Sequence, residues 1–455
     1  MRVLLISTYE LGHQPLHVAS PAAALRRAGH DVRAIDLGVE PWAPEEVMWA
    51  DALAFSVPMH TAMRLALRTA HAARALRPDV PICLYGLYAP VSRDHTLGTV
   101  ADRLLAGEYE GALVEWVGGL ATADAGGDDT LVHLGRTRFG LPARDLLPPL
   151  DRYARLLVDG EERIVGYVEA SHGCAHRCRH CPVPVVYDGR IRIVDLDAVV
   201  ADVAQLVAAG ARHITFGDPD FLNGAHHSLR VVRAVHERFP DITFDCTTKV
   251  ELILRHEGLW TELAAAGCLF VVSAFESLND AILQRLDKGH TAADAARAVA
   301  LLRGHGIEIR PSFLPFTPWT TEADIVELLE FVATHDLIDN VDPVQYTIRL
   351  LLPEGSLLLG RPDLAPHLGS YDPELLGYPW TAAVPSVDAL QARVAREVEP
   401  SLHAGESTGT TFRRVWQEAG APGAVPTGAS TGRPRLSEPW FCCAEPTEAQ
   451  LTTKL

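Results

Sequence analysis

His172-Gly173-Cys174-Ala175-His176-Arg177-Cys178-Arg179-His180-Cys181-Pro182 spaces three cysteines as C-x3-C-x2-C, just after a strand-like apolar run holding Ile164, Val165, Tyr167 and Val168. Three thiolates this close in sequence can converge on one iron–sulfur cluster. A cubane [4Fe–4S] cluster takes four ligands, so Cys174, Cys178 and Cys181 leave one iron open to a small molecule. An open iron serves chemistry rather than electron transfer alone. The alternative is a structural zinc site, with His172, His176 or His180 as the fourth ligand. A disulfide framework is disfavoured, because the chain is long and shows no secretory signal.

C-x3-C-x2-C after a first barrel strand resembles the radical S-adenosylmethionine (SAM) superfamily. The resemblance implies that the open iron chelates the amino and carboxyl groups of SAM, and that one electron from the cluster cleaves SAM to a 5′-deoxyadenosyl radical. Residues 164–360 fit the fold it implies. Strands are expected at Ile164–Ala170, His213–Phe216, Thr243–Thr247, Leu269–Ser273, Glu308–Phe313 and Val344–Ile348. Helices are expected at Ala198–Ala209, Thr261–Ala266, Ala281–Leu286, Ala292–Gly304 and Glu322–His335. Six such repeats make a partial (β/α)6 barrel. Phe216-Gly217-Asp218-Pro219 stands where the family's glycine-rich segment meets the SAM amino group, which assigns Gly217 and Asp218 to cofactor binding. Ser273-Ala274-Phe275-Glu276-Ser277 resembles the family's G-x-E-S segment, and Glu276 is the implied SAM contact; its other reading is a carboxylate at a helix N-terminus. Ser312, at the end of the fifth strand, is a further cofactor-binding candidate. Arg349 is expected either at the barrel mouth or in a surface ion pair.

The first zone, residues 1–140 with a connector to 163, alternates strands and helices, which means a doubly wound parallel sheet. Strands are expected at Val3–Ser7, Asp31–Ile35, Ala52–Val57 and Pro81–Gly86, and helices at Ala22–Ala28, Thr61–Leu76, Thr99–Leu105 and Glu110–Val117. Ligands of such sheets bind at the carboxyl ends of the strands, here near Ser7-Thr8-Tyr9, Ser56–His60 and Tyr85–Tyr88, which makes Ser56 and Gly86 cofactor candidates. No G-x-G-x-x-G follows the first strand, against a nicotinamide site. A flavodoxin-like sheet before a radical SAM motif resembles the cobalamin-binding domain of cobalamin-dependent radical SAM enzymes. No D-x-H-x-x-G motif is present, which points to cobalt without a histidine lower ligand. A cofactor-free scaffold is the other reading. Residues 121–163 read as a linker, polar at Ala125–Asp129 and interrupted by Pro148-Pro149.

The third zone, 361–455, is rich in Pro and Gly, with helices expected at Val387–Val398 and Thr411–Glu418. It ends Trp440-Phe441-Cys442-Cys443-Ala444-Glu445-Pro446, which resembles the tail of the CUAEP/CCAEP radical SAM proteins and selenoproteins. There the second cysteine position is selenocysteine in the selenoprotein members. The resemblance makes Cys443 a catalytic nucleophile, soft ligand or redox group, with Cys442 assisting.

The charge of −18 argues against a broad basic face for nucleic acid or anionic membrane. No apolar stretch approaches the roughly 20 residues of a membrane span. Eight cysteines without a secretory signal suggest a reducing cytoplasm. Expected partners are a small-molecule or peptide substrate and an electron donor such as flavodoxin or ferredoxin. The expected activity is SAM cleavage with methylation or another radical transformation. Two competitors are a cobalamin-independent radical enzyme, with substrate on the N-terminal sheet, and a non-enzymatic metal carrier or redox sensor.

Overall fold

The computed structural model describes residues 1–91, 93–122, 130–426, 428 and 432–438. Its first sheet is built from β1 (Arg2–Ser7), β2 (Asp31–Asp36), β3 (Ala52–Ser56), β4 (Ile82–Tyr85), β5 (Arg103–Gly107) and β6 (Val132–His133). All pairs are parallel, in the order β2-β1-β3-β4-β5-β6. Alternate residues of β1 point to opposite faces, as a pleated strand requires. Leu4 and Ile6 pack with Val47 and Met63 of the helices Pro44–Trp49 and His60–Leu76. Val3 and Leu5 pack with Val18, Ala22, Leu113 and Val117 of the helices Leu16–Arg27 and Glu110–Thr122. The sheet is therefore covered on both faces, a doubly wound α/β layer.

Two local expectations fail here. The first helix starts at Leu16, so Pro21 lies inside it rather than in its first turn. Proline supplies no N–H to the His17 carbonyl one turn earlier. That carbonyl instead accepts the Tyr85 hydroxyl at 3.0 Å, and the helix continues. The stretch expected as helix at Thr99–Leu105 is a turn followed by β5. Leu104, Leu105 and Ala106 form a short apolar run buried on both faces, and such a run gives no period that separates helix from strand.

The second sheet runs β14-β13-β12-β11-β8-β7-β15. Its parallel part is β8 (Glu161–Val168), β11 (His213–Phe216), β12 (Thr243–Thr247), β13 (Cys268–Glu276) and β14 (Glu308–Phe313), curled into a half-barrel. β7 (Arg155–Val158) and β15 (Arg435–Leu436) extend it antiparallel. β9 (Ser171–Gly173) and β10 (Ile191–Ile193) form a separate ribbon. Helices between the strands, including Leu196–Ala208, Ala225–Arg238, Ala292–Gly304 and Glu322–Thr334, close the outer core. The strand expected at Val344–Ile348 is instead a 3₁₀ turn, Pro343–Thr347, followed by one bridge between Phe316 and Arg349. Pro343 opens the turn, and the Gln345 side chain accepts the Phe313 N–H at 3.0 Å, the place a sixth strand's carbonyl would take.

The connector is largely ordered where it is described. Arg144 is buried and donates through Nε and Nη2 to Asp202 at 2.8 and 2.7 Å, through Nη2 to the Tyr167 carbonyl, and through Nη1 to Gln14. It thus joins the loop after β1 to the barrel. The C-terminal zone adds the helices Pro385–His403 and Thr408–Glu418 to the outer core. No helix among the described residues is long and apolar enough to cross a membrane.

Candidate active site

The three cysteines occupy the loop between β9 and β10. Gly173 ends β9 with φ +72°, and a Cβ there would overlap the Arg190 carbonyl and the Tyr187 ring. The loop can leave the strand only through glycine at that point. Three neighbouring elements then pin it. Asp218, after β11, accepts the Ala170 N–H at 2.9 Å and the Ser171 hydroxyl at 2.6 Å. Asn223 donates to the Cys174 sulfur at 3.2 Å. The Arg179 N–H donates to the Leu286 carbonyl at 2.9 Å.

Cys174, Cys178 and Cys181 all face one cavity of about 240 Å³, with Gly217, Asp218, Glu276 and Lys288 in its wall. All three are free thiols. Burial pushes the Cys174 thiol up to about 12; it raises Cys178 too, against the pull of Lys288 and Lys249. Thiols so placed ionise only with a cation to hold them, and an iron–sulfur cluster fits that donor set. None of the three zinc-candidate histidines turns to the sulfurs. His172 contacts Glu108 and Glu169, His180 contacts Glu276, and His176 lies 3.6 Å from Glu251.

Glu276 ends β13 with φ +65°, where the pairing with β14 slips its register. Its carboxylate takes the Lys288 ammonium at 3.2 Å and His180 Nε2 at 3.0 Å. Burial works to raise its pKa; Lys288 and His180 outweigh that and hold it down to about 2. Gly217 lies against Tyr167 so closely that a Cβ would overlap the ring.

A second lobe of about 180 Å³ opens over the carboxyl ends of the first sheet. Pro58, Met59, Gly86, Leu87 and Gly107 line it from that sheet. Leu11, His13, Tyr167, Gly217 and Pro219 line both lobes, so the two are continuous. Pro58, Met59, Leu87 and the bare backbone of Gly86 and Gly107 make a flat apolar shelf, which suits a large planar ring. The His13 ring lies tilted against Tyr167, centroids 4.8 Å apart, and burial pushes its imidazole down to about 4, so it is neutral.

The rest of this lobe's wall is a charged network, including Glu10, His17, Tyr109, Glu169 and His172, that the sequence reading missed. His172 bridges Glu108 (3.1 Å) and Glu169 (3.2 Å). Glu169 also meets His17 at 3.3 Å and accepts the Tyr167 hydroxyl at 2.8 Å. His17 Nδ1 pairs with the Tyr109 hydroxyl at 2.9 Å. Burial opposes charge on His17, but Glu169 and Glu10 raise it to about 9. Glu10 goes the other way: burial pushes its carboxyl up to about 7, and the Ser56 hydroxyl donates to it at 3.2 Å. The available signal was the density of polar residues between Thr8 and His17, straight after a fully buried strand.

Of the expected site residues, Cys174, Cys178, Cys181, Gly217, Asp218 and Glu276 share one lobe, and Gly86 lines the other. Ser56 and Ser312 are buried and line neither lobe; Ser56 is turned to Glu10. Arg349 pairs with Asp388 at 2.8 Å and stacks on Trp380, so it is an ion-pair residue rather than a group at the mouth. Cys442 and Cys443 lie outside the described residues.

Residues 2–117 match the B12 binding domain and residues 168–332 match the radical SAM superfamily. The chain therefore joins a B12-binding domain to a radical SAM domain, the composition of an enzyme, and these domains imply a [4Fe–4S] cluster, SAM and cobalamin as cofactors. Among its relatives is a hopanoid C-3 methylase of Methylococcus capsulatus, 24% identical over 68% of this chain and 62% of the methylase. Another is the ribosomal protein uS12 methylthiotransferase RimO of Desulforudis audaxviator, 26% identical over 43% of this chain and 46% of RimO. The chain thus spans less than two thirds of the length of these relatives. Similar folds are the radical SAM methyltransferase TsrM of Kitasatospora setae with tryptophan and a SAM analogue bound (TM-score 0.59, 18% identity, 78% of this chain and 74% of TsrM) and the cobalamin-dependent SAM radical enzyme OxsB (TM-score 0.67, 14% identity, 88% of this chain and 67% of OxsB).

Proposed function

We propose that this chain is a cobalamin-dependent radical SAM enzyme that methylates a carbon of a small-molecule or peptide substrate, within the CUAEP/CCAEP-tail group. The observation that carries the reading is the continuity of the two lobes. A shelf on the strand ends of a B12-binding domain opens directly into the lobe of the three-thiol loop. Methyl transfer to carbon fits the C-3 methylase relative.

In this reading Cys174, Cys178 and Cys181 hold the cluster, with Asp218 and Gly173 fixing the loop that presents them. Gly217, Asp218 and Glu276 face SAM, and Lys288 keeps Glu276 ionised. The Gly86 shelf would hold cobalamin, with Glu10 in the same wall and Ser56 behind it. When bound, the cluster supplies the electron that cleaves SAM, and cobalamin supplies the methyl group. Tyr167, Leu11 and Met59 exclude water between the lobes. Cys443, with Cys442 beside it, acts on the substrate. The setting is the cytoplasm, with a flavodoxin or ferredoxin as electron source.

The test is anaerobic reconstitution of the wild type and of a Cys174→Ala/Cys178→Ala/Cys181→Ala variant. Wild type should show cluster absorbance, bind corrin stoichiometrically and form 5′-deoxyadenosine. The variant should remain folded and lose the cluster and 5′-deoxyadenosine. Cluster absorbance and 5′-deoxyadenosine from the triple variant would remove the assignment, and wild type without corrin would remove cobalamin from it.

A further inference from the structure

The inward face of the barrel carries a polar pair that the cofactor assignments leave unused, Thr215 and Asp245. The parallel register sets Tyr167, Thr215 and Asp245 side by side on β8, β11 and β12. Their neighbours Phe216, Phe244 and Cys246 turn outward into the helix-covered core, so Thr215 and Asp245 turn inward. Both line the lobe of Cys174, Cys178 and Cys181. Thr215 stands two residues before Gly217, about 7 Å deeper in the barrel. The interior also holds the apolar cluster of Val165, Phe270 and Val272. A carboxylate there is costly to bury unless its oxygens are satisfied.

Half of this carboxylate is satisfied. Asp245 Oδ1 accepts the Thr215 hydroxyl at 2.7 Å and pairs with His213 Nε2 at 2.9 Å. His213 Nδ1 meets the Thr243 hydroxyl at 2.8 Å, so both its nitrogens are engaged. Asp245 Oδ2 meets no hydrogen-bond partner among the described residues and is left to the cavity that Asp245 lines. A second unused group comes from the other domain. His13 lines both lobes and is 6% exposed. Its main-chain N–H donates to the Glu10 carbonyl, but its ring nitrogens meet no hydrogen-bond partner among the described residues. The imidazole is neutral, so one of those nitrogens is an acceptor. Asp245 is near enough to pull the His13 pKa upward against its burial, which sets the two groups on one space.

Apart from one N–H of the His13 ring, this floor presents acceptors: Asp245 Oδ2, a His13 nitrogen and the Thr215 oxygen, whose hydrogen is spent on Asp245. A substrate hydroxyl has one hydrogen to give, and a carboxylate has none. An ammonium has three, with a positive charge to set against the carboxylate. The lysines of the same lobe are already engaged, Lys288 with Glu276 at 3.2 Å and Lys249 with Glu251 at 3.5 Å. We propose that the floor of this barrel binds an ammonium group of the substrate, with Asp245 Oδ2, His13 and Thr215 as its acceptors. The substrate is then an amine, or a peptide that presents an amino group. Anchored at that depth, it holds its carbon skeleton up to the junction of the two lobes. This deepens the functional reading, and rests on that junction being where substrate reacts.

The experiment compares three probes of one skeleton, phenethylamine, 2-phenylethanol and 3-phenylpropionate, by ligand-observed NMR titration of the full chain carrying its cluster. The amine should bind at least ~10-fold more tightly than either of the others. Asp245→Asn keeps an oxygen for Thr215 and His213, and should erase that preference while leaving the alcohol's affinity unchanged. His13→Leu should weaken the amine more than the alcohol. A carboxylate that merely braced the barrel would lower the melting temperature in Asp245→Asn and leave the head-group preference intact. Equal affinities in the wild type overturn the proposal. So does an amine preference that survives Asp245→Asn or, where circular dichroism shows that variant unfolded, His13→Leu. Formation of 5′-deoxyadenosine from SAM is recorded in the same samples. Its absence indicts the functional reading; its presence without an amine preference indicts the ammonium site alone.

Discussion

Glu10 shows how one side chain links the first sheet to the cavity. It sits just past β1, buried, with the Ser56 hydroxyl as its hydrogen-bond donor. Burial raises its folded pKa from the ordinary 4.5 to about 7. Between those values the folded chain holds a proton that the unfolded chain has released, so this residue's contribution is fully present below pH 4.5 and is lost as pH rises through 7. Glu10→Gln removes the titration. Relative to wild type, the variant should gain up to roughly 3 kcal/mol between pH 4 and pH 8, read from urea unfolding at both pH values. A constant difference between the two proteins would show that Glu10 ionises normally. The sequence did not announce this residue. C-x3-C-x2-C is legible because its geometry is local, three thiols on one short loop. The Glu10, Glu108, Glu169, His17 and His172 group is assembled from the ends of β1, β5 and β8, the first helix and β9, and only the packing of two domains brings it together.

Elements with a clear period were legible, and elements held by neighbours were not. Ala292–Gly304 and Glu308–Phe313 stand where the periodicity put them; the helix is opened by a Thr291–Asp294 capping box. β5 was obscured because a short buried run carries no period. The Pro343 turn was obscured because a glutamine side chain replaces a strand's hydrogen bond. The connector is the sharpest case. Its composition reads as flexible, yet Arg144 makes it a buried clamp between Gln14, Tyr167 and Asp202. Arg144→Ala should cost about 3–5 kcal/mol, because it leaves the Asp202 charge buried and unpaired. Arg144→Met combined with Asp202→Leu should recover most of that loss in thermal unfolding. If the double variant is as unstable as the single one, the loss comes from the contacts to Gln14 and Tyr167.

The alternation of strands and helices revealed both sheets and their order in the chain, but not that the ends of the two sheets meet. Removing residues 1–140 takes away every wall of the Gly86 shelf. The remainder, checked for folding by circular dichroism, should retain no corrin. A truncated chain that still holds corrin stoichiometrically would move the site into the barrel. The Arg144 clamp has one more consequence. The clamp ties the loop after β1 to the barrel across the seam between the two sheets, so a bulky cofactor that enters through that seam has to wait for the clamp to unlatch. Uptake of such a guest should then level off as its concentration rises, paced by the hinge rather than by collision, and Arg144→Met/Asp202→Leu should raise that plateau.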